Sequence, residues 1–216
     1  AASNIEITFT LRDGKVVNKS IMGGIEDINK YQPDAQFMEH FKKQFSEVQQ
    51  FVSEKIGVIT ESISTRDAYF GSSAFVDLIH RIQLETSGAD ISFAAPLSFD
   101  ATIAKGDILM SDMFNLMKYE NMLYVMNLSG KEIKDFLEYS YYIWTNQMSS
   151  PDDHMLWLKS SNRVGDENRS TFYNESFNFD SAAGIIYTVD LTKPRGEKIN
   201  IISMADGTPF ALDHTY

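Results

Sequence analysis

The chain contains no cysteine among its 216 residues and has only four histidines, His40, His80, His154 and His214. The missing cysteines exclude disulfide bonds, cysteine-ligated zinc and thiol catalysis. None of the histidines stands in an H-E-x-x-H arrangement of metal ligands, and the only D-x-H match is Asp152-Asp153-His154, whose lone histidine lies in a loop that contains Pro151. The sequence also lacks a Gly-x-Ser-x-Gly nucleophile motif and a Gly-rich phosphate-binding loop. We therefore expect neither a catalytic residue nor a metal site in this chain.

Basic residues are in the minority, with 19 Lys and Arg against 30 Asp and Glu and a formal net charge of -11. An acidic surface repels polyanions, so we expect no binding of nucleic acid polymers or anionic membranes. A single nucleotide is compatible with this charge, because one pocket needs only one or two local cations and aromatic faces. The charge therefore favours a small anionic ligand over a polymeric one.

Long apolar runs are also missing. No stretch approaches the ~20 apolar residues of a membrane helix, so we expect no insertion into a membrane. Residues 1–5 show neither the basic nor the apolar part of a signal peptide. Hydrophobic residues nevertheless make up 43% of the chain and aromatic residues 12%, which is enough for a packed core.

The first 30 residues predict a β-hairpin. Ile5, Ile7 and Phe9 alternate with polar residues, Asp13-Gly14 is a hairpin turn signal, and Gly23-Gly24 ends the pattern. Because two strands alone bury little apolar surface, we interpret residues 1–30 as the remnant of a larger sheet in a preceding catalytic domain.

Residues 31–56 predict one amphipathic helix. Pro33 is placed to open it, and Phe37, Phe41 and Phe45 follow at helical spacing. We interpret this segment as a connecting helix between two domains, with an ordinary peripheral helix as the alternative.

Residues 57–216 alternate between helix and strand patterns. Strands are predicted near 57–60, 89–93, 122–128, 184–191 and 198–204, and helices from 72, 111 and 130. The closing strands are joined by hairpin turns, which favours an α+β fold over a doubly wound parallel sheet. We expect a mixed sheet with flanking helices.

Asn-x-Ser matches occur at Asn168 and Asn174. Because such matches are common by chance, they are weak evidence for glycosylation.

Four runs of sequence carry a resemblance to a known family. They are Gly88–Pro96, Lys118–Tyr124, Leu128–Glu138 and the tail from Phe177–Asp180 through Asp190–Pro194. Their order and spacing resemble the C-terminal domain of the 5′-nucleotidase family across residues 57–216. Within that family, the branch of 2′,3′-cyclic-nucleotide 2′-phosphodiesterase/3′-nucleotidases matches best.

The resemblance implies a two-domain enzyme of the periplasm or cell surface. Its N-terminal metallophosphoesterase domain holds two divalent metal ions through D-x-H and G-N-H-[DE] motifs. This sequence has no G-N-H-[DE] motif, and its one D-x-H match is the isolated fragment Asp152-Asp153-His154. The C-terminal domain binds the nucleoside and stacks its base between two aromatic rings. The chain is thus expected to be the substrate-recognition part of a nucleotide phosphohydrolase and to be inactive alone. Its expected partners are a nucleoside or nucleotide and its own catalytic domain.

The resemblance also implies three substrate-binding residues. Tyr119 falls where the family has its first base-stacking aromatic, and Asn121 matches an asparagine near the base edge. Arg66 aligns with a substrate-binding arginine and could bind phosphate bidentately. Without the resemblance, the residues alone favour a packing role for Tyr119 and a turn-forming role for Asn121.

Two departures from the family pattern bear on function. The 5′-nucleotidase branch has a Gly-rich segment ending in Ile-Arg where this chain has Phe93–Leu97, and this difference favours the cyclic-nucleotide branch. The family also continues past a pair like Thr215-Tyr216 with a strand that carries the second stacking aromatic. We therefore expect the domain over 57–216 to be truncated at its C-terminal end. The alternatives are the 5′-nucleotidase or UDP-sugar hydrolase branch, or a nucleoside-binding module without catalysis.

Overall fold

The computed structural model describes residues 1–160 and 170–216 and divides into two units, Ala1–Phe51 and Val52–Tyr216. The first unit begins with an antiparallel hairpin of β1 (Ala2–Arg12) and β2 (Lys15–Glu26). Its turn residues Asp13 and Gly14 both have positive φ, 51° and 74°. This is the geometry that two-residue hairpin turns require, so the Asp-Gly prediction is confirmed.

The hairpin is longer than its sequence pattern predicts. We expected Gly23-Gly24 to end the pattern, but β2 continues through both glycines, which pair with Ile5 and Asn4. The reason is that β1 supplies backbone partners along its whole length. Ile5, Ile7 and Phe9 lie on one face of the hairpin and are 66%, 48% and 53% exposed.

Two helices follow where one was predicted. They are α1 (Ala35–His40) and α2 (Lys42–Val52), and the chain departs from helical geometry at Phe41, whose ψ is 8°. Asp34 is the N-cap and accepts a hydrogen bond from the Phe37 N–H at 2.7 Å. An aspartate satisfies a free N–H at the helix start, whereas Pro33 has no side-chain acceptor to do so.

The second unit combines helices with short antiparallel strand pairs, in agreement with the expected α+β class. Its helices are α3 (Ala74–Ser87), α4 (Met110–Leu116) and α5 (Gly130–Trp144). Its strands are β3 (Lys55–Ile59), β4 (Ile63–Ser64), β5 (Ser92–Ala94), β6 (Thr102–Ile103), β7 (Gly106–Leu109), β8 (Leu158–Ser160), β9 (Ser170–Phe172), β10 (Ser181–Ala183), β11 (Ile185–Val189) and β12 (Ile199–Met204).

These strands pair two by two instead of forming the expected mixed sheet. The pairs in the described residues are β3 with β7, β4 with β6, β5 with β10, β8 with β9 and β11 with β12, all antiparallel. Most of the strands have only two to five residues, so each aligns with one neighbour before the chain turns away.

Helix starts in this unit are fixed by local side chains. Ser129 caps α5, and Glu132 returns a hydrogen bond to the Ser129 N–H at 2.8 Å, which completes a capping box. Helix α4 begins one residue before the predicted start at residue 111. Its N-cap is Leu109, and the carboxylate of Asp112 in the first turn accepts the Leu109 N–H at 2.7 Å.

The residues that the structure describes form three buried hydrophobic clusters, all in the second unit. One joins α3 to β5 and α4, one is aromatic, and one joins α5 to the β11–β12 pair. The first cluster buries Phe75, Ile79 and Ile103. The aromatic cluster buries Trp144 and Phe179. The third cluster buries Ile133, Leu137 and Ile199.

A buried carboxylate attaches β12 to α5. Glu138 accepts the backbone N–H groups of Lys198 and Ile199 at 3.1 and 2.7 Å. The Lys198 ammonium donates to the Thr145 hydroxyl and the Asn146 carbonyl at 3.0 and 2.8 Å. Burial lowers the pKa of Lys198, and the charge of Glu138 partly opposes that shift.

The strand predicted over residues 122–128 is absent. Met122, Tyr124 and Val125 are 78%, 78% and 62% exposed, and no described strand lies beside them. The apolar pattern was correct for a strand, but a strand requires a neighbour to accept its backbone hydrogen bonds. Only Leu128 finds one, in Tyr216.

Two further findings concern features named from the sequence. Asn174 donates a side-chain hydrogen bond to the Ile143 carbonyl at 2.7 Å, so its amide is engaged in the fold. Asn168 lies outside the described residues. Among the helices in residues 1–160 and 170–216, none has the length and apolar character required to cross a lipid bilayer.

Candidate functional site

A cavity of about 430 Å³ lies in the second unit between α3, β5 and the segment that follows α4. Its polar lining residues are Gln83, Thr86, Asn121 and Asp180, and the remaining lining residues are apolar. The volume falls within the range of about 300–1,000 Å³ that is typical of small-molecule sites. A mainly apolar wall with a few polar groups is the usual composition of such sites.

The main chain around Asp180 is fixed from both sides. The Ser140 hydroxyl of α5 donates to the Asp180 carbonyl oxygen at 2.8 Å. On the other side, Ser181 lies in β10, where its backbone pairs with Ala94 of β5. The Asp180 side chain therefore reaches the cavity from a rigid backbone.

Asp180 is a carboxyl group in largely apolar surroundings. Burial raises the pKa of Asp180 from its ordinary 3.8 to about 6, and a hydrogen bond to its own backbone N–H partly opposes this. The carboxyl is therefore ionised at neutral pH, when it accepts hydrogen bonds, and it gains a proton under mildly acidic conditions.

A hydrogen-bonded chain supports the wall behind the cavity. The Ser92 hydroxyl donates to Gln83 Oε1, and His80 Nδ1 lies 2.9 Å from the same hydroxyl oxygen. His80 Nε2 lies 3.2 Å from the Ser181 hydroxyl. His80 is 2% exposed, and burial lowers its pKa to about 4, so the ring is neutral near pH 7. Because the Ser92 hydroxyl hydrogen is donated to Gln83, its oxygen accepts from His80 Nδ1–H, and Nε2 of the neutral ring is left as an acceptor.

Two of the residues implied by the family resemblance lie in the segment after α4. Asn121 lines the cavity, whereas Tyr119 does not and is 53% exposed. An aromatic ring with this exposure offers a free face for stacking. The alternative interpretation of Tyr119 as a packing residue does not agree with its exposure.

Arg66 lies apart from these two residues. It precedes the 3-10 turn Asp67–Tyr69, its Nε is 3.1 Å from an Asp100 carboxylate oxygen, and its guanidinium lies 5.3 Å from the Phe99 ring centre. It does not line the cavity. The structure thus brings Asn121 to the cavity and leaves Arg66 in an exposed ion pair.

The described residues do not fit a metal centre. In residues 1–160 and 170–216 no three His, Asp or Glu side chains are grouped to hold a metal ion. In the fragment Asp152-Asp153-His154, the Asp153 carboxylate accepts the N–H groups of Ser149 and Ser150, and His154 Nδ1 accepts the Leu156 N–H at 3.0 Å. These atoms stabilise a turn.

Sequence reasoning missed Asp180 and His80 as features of the site. Asp180 stood only in a run quoted for its resemblance, and His80 was considered only as a histidine outside any metal-binding motif. The run Phe179–Ala183 places a carboxylate beside an aromatic residue and three small residues, and this pattern could have directed attention to Asp180 as a partly buried acid.

Comparison with known proteins gives a family match over most of the chain. Residues 55–216 match the family described as 5′-nucleotidase, C-terminal domain. Over 122 residues the chain is 30% identical to the trifunctional nucleotide phosphoesterase protein YfkN of Bacillus subtilis strain 168. That alignment covers 53% of this chain and 8% of YfkN.

Two solved structures share the fold. A Staphylococcus aureus protein assigned provisionally as a 5′-nucleotidase, in complex with alpha-ketoglutarate, has a TM-score of 0.69 and 21% identity. The 5′-nucleotidase precursor of Thermus thermophilus has a TM-score of 0.58 and 20% identity. The two alignments cover 97% and 99% of this chain. The chain spans only 39% and 38% of the length of the two solved proteins.

Proposed function

The chain belongs to the family of 5′-nucleotidase C-terminal domains, and from this premise we propose that it is the nucleoside-recognition part of a nucleotide phosphohydrolase. In this proposal Tyr119 stacks on the nucleobase, and Asn121 binds the edge of the base. The single observation that carries the proposal is the position of Asn121 in a cavity of ligand size, two residues after the exposed Tyr119.

The energetics favour recognition through the base. Stacking of a base on an aromatic side chain contributes about 1–3 kcal/mol. An amide such as that of Asn121 can donate one hydrogen bond and accept another. One ring and a few hydrogen bonds give little affinity beyond the cost of immobilising a ligand, so we expect weak binding, with a Kd on the order of 1 mM.

The proposed substrates are 2′,3′-cyclic nucleotides and 3′-nucleotides. Two observations support this choice over 5′-nucleotides or UDP-sugars. Phe93–Leu97 lacks the arginine that the 5′-nucleotidase branch has there, and YfkN, which is similar to this chain, is named as a trifunctional nucleotide phosphoesterase. An assay of the two-domain enzyme separates the branches. Hydrolysis of 5′-AMP without hydrolysis of 2′,3′-cyclic AMP or 3′-AMP would contradict this choice.

Catalysis is assigned to a separate N-terminal domain. When bound there, two divalent metal ions would activate water against the phosphoester, and this chain would hold the nucleoside while that happens. In the same proposal, residues 1–30 belong to the sheet of the catalytic domain and residues 31–56 connect the two domains. The proposed location is the periplasm or cell surface, as the family resemblance implies.

Nucleoside titration tests the proposal directly. Adenosine and guanosine are titrated into the chain by NMR, with Tyr119→Ala as the test variant. Tyr139→Ala is the matched control, because Tyr139 is 52% exposed but lies on α5, away from the cavity lining. We expect Tyr119→Ala to weaken binding at least about fivefold and Tyr139→Ala to leave it unchanged. Equal affinities for wild type and Tyr119→Ala would remove Tyr119 from the site.

A further inference from the structure

We propose that Asp180 and Asn121 together select guanine over other nucleobases. This inference rests on the proposed nucleoside-binding function and adds a base preference to the same site. No resemblance assigns a role to Asp180. The assignment starts from its position in the cavity that Asn121 lines.

The geometry presents two different polar groups to one ligand. Asn121 belongs to the segment after α4, whereas Asp180 immediately precedes β10, so the two approach the cavity from different parts of the fold. Asp180 is held by the Ser140 hydrogen bond to its carbonyl at 2.8 Å. A rigid backbone limits the positions of its carboxylate, and a fixed acceptor discriminates better between ligands than a mobile one.

The chemistry of the two groups matches guanine. An ionised carboxylate is only an acceptor, with two oxygens that can take a pair of adjacent donors. Guanine offers such a pair on its Watson–Crick edge, the ring N1–H and the exocyclic amino group, beside the O6 acceptor. The Asn121 amide N–H can donate to O6 while the Asp180 carboxylate accepts the other two hydrogens.

Other bases fit the same groups less well. Adenine turns the lone pair of its ring N1 toward the carboxylate, which is repulsive. Hypoxanthine keeps N1–H and O6 but lacks the amino group, so it loses one hydrogen bond. A buried acceptor left without its partner costs more than the bond contributes, and sites of this kind reject ligands that lack a donor. The expected order of affinity is therefore guanosine, inosine, adenosine.

A structural role alone does not account for the position of Asp180. Among the residues that line the described cavity, Asp180 is the only one with a titratable side chain. Asp180 is partly buried, and a carboxylate that loses water without gaining a cationic partner opposes folding, so an apolar residue would be the more stable choice. A carboxylate in such a position is typical of sites that need it for a ligand.

The test compares guanosine with inosine on the whole chain at pH 7.5. Binding is measured by NMR titration for wild type, Asp180→Asn and Asp180→Ser, and each variant is checked for folding by thermal melting. We expect guanosine to bind wild type about tenfold more tightly than inosine. In both variants that ratio should fall to about 1–2, because a neutral side chain no longer accepts two donors.

The outcomes separate this inference from the proposed function. If guanosine and inosine bind wild type equally, while Tyr119→Ala weakens both, the guanine preference is wrong and the nucleoside site stands. A tenfold preference that persists unchanged in a folded Asp180 variant also overturns the inference. If no nucleoside binds wild type, both proposals fail. If neither variant folds, the ratio of guanosine to inosine affinity on wild type is the test. A ratio of about ten supports the guanine preference, and a ratio of about one overturns it.

Discussion

Leu128 and Tyr216 exchange backbone hydrogen bonds, with each N–H donating to the carbonyl of the other at 3.0 and 2.9 Å. Together with the bridge between Ser129 and Thr215, this is the beginning of an antiparallel strand pair. Residues 121–127 are not in a strand, and no described strand pairs with them. Asn121 begins this unpaired segment, and Tyr119 lies two residues before it.

The first prediction concerns hydrogen exchange in this segment. The amide of Leu128 should exchange slowly, because it is hydrogen-bonded, while those of Val125 and Met126 should exchange nearly as fast as in an unfolded peptide. We expect a difference of at least about 100-fold between Leu128 and Met126. NMR-detected exchange measures all three amides in one experiment. Protection of Met126 equal to that of Leu128 would mean that the segment is paired in solution.

The second prediction concerns stability in acid. The pKa of Asp180 is raised to about 6, so the folded state binds more protons than the unfolded state between about pH 4 and 6, and protonation stabilises it. The pKa of His80 is lowered to about 4 from 6.5, so the unfolded state binds more protons in that window and acid destabilises the fold. The two contributions oppose each other.

Asp180→Asn removes one of these opposing contributions. Between pH 7 and pH 4, the free energy of unfolding of the variant should fall by about 2 kcal/mol more than that of wild type. Urea unfolding at a series of pH values measures this difference. Asp152→Asn is the control, since Asp152 is an exposed aspartate in a turn. Parallel pH profiles for wild type and Asp180→Asn would show that Asp180 is not buried in the folded state.

The third prediction concerns Arg66. If its guanidinium binds the phosphate of a nucleotide, Arg66→Ala should weaken binding of a nucleoside monophosphate about three- to tenfold, while nucleoside binding stays unchanged. Asp100→Asn should act in the opposite direction, because it releases the guanidinium from its ion pair. Arg81→Ala is the control, since Arg81 is similarly exposed and paired with Glu85. Equal losses for nucleoside and nucleotide would exclude a phosphate contact.

The fourth prediction concerns the backbone beside the site. Gly184 has a φ of 91°, and a Cβ added there would lie 2.0 Å from the Asp90 carbonyl oxygen. Gly184→Ala should therefore destabilise the fold by about 2–4 kcal/mol, through strain and collision together. Gly196→Ala is the matched control, because Gly196 has a similar φ of 88° but open space around it. Similar losses of thermal stability in both variants would assign the effect to φ alone.

Local signals in the sequence predicted the local elements well. The Asp13-Gly14 turn and the start of α5 at Gly130 both depend on residues close in sequence, and both are present. The capping box at that start joins Ser129 and Glu132, which are only three residues apart.

The strand predicted at 122–128 failed because its formation depends on a partner far away in the chain. Its nearly continuous apolar run is suitable for a buried strand, but among its residues only Leu128 has a described backbone hydrogen-bond partner, in Tyr216. The pairing of short strands into separate antiparallel couples is equally non-local, since β5 finds its partner in β10.

The residues of the candidate site also divide into those that a local run of sequence predicted and those that depend on distant contacts. The family resemblance named Tyr119 and Asn121 from a short run, and the exposure of one and the cavity position of the other are compatible with the roles proposed for them. Asp180 could not be assigned in this way, because burial of a carboxylate is a property of the folded chain. The ion pair between Arg66 and Asp100 likewise joins residues that no local pattern connects.

The central claim is that nucleosides bind at Tyr119, Asn121 and Asp180. Mapping the amide shifts of the ¹⁵N-labelled chain during a guanosine titration tests it most directly. We expect the amides of these three residues to shift together and to saturate with one dissociation constant. Shifts that are confined to other surfaces, such as that around Trp157 and Tyr173, or no saturable shift at all, would contradict the claim.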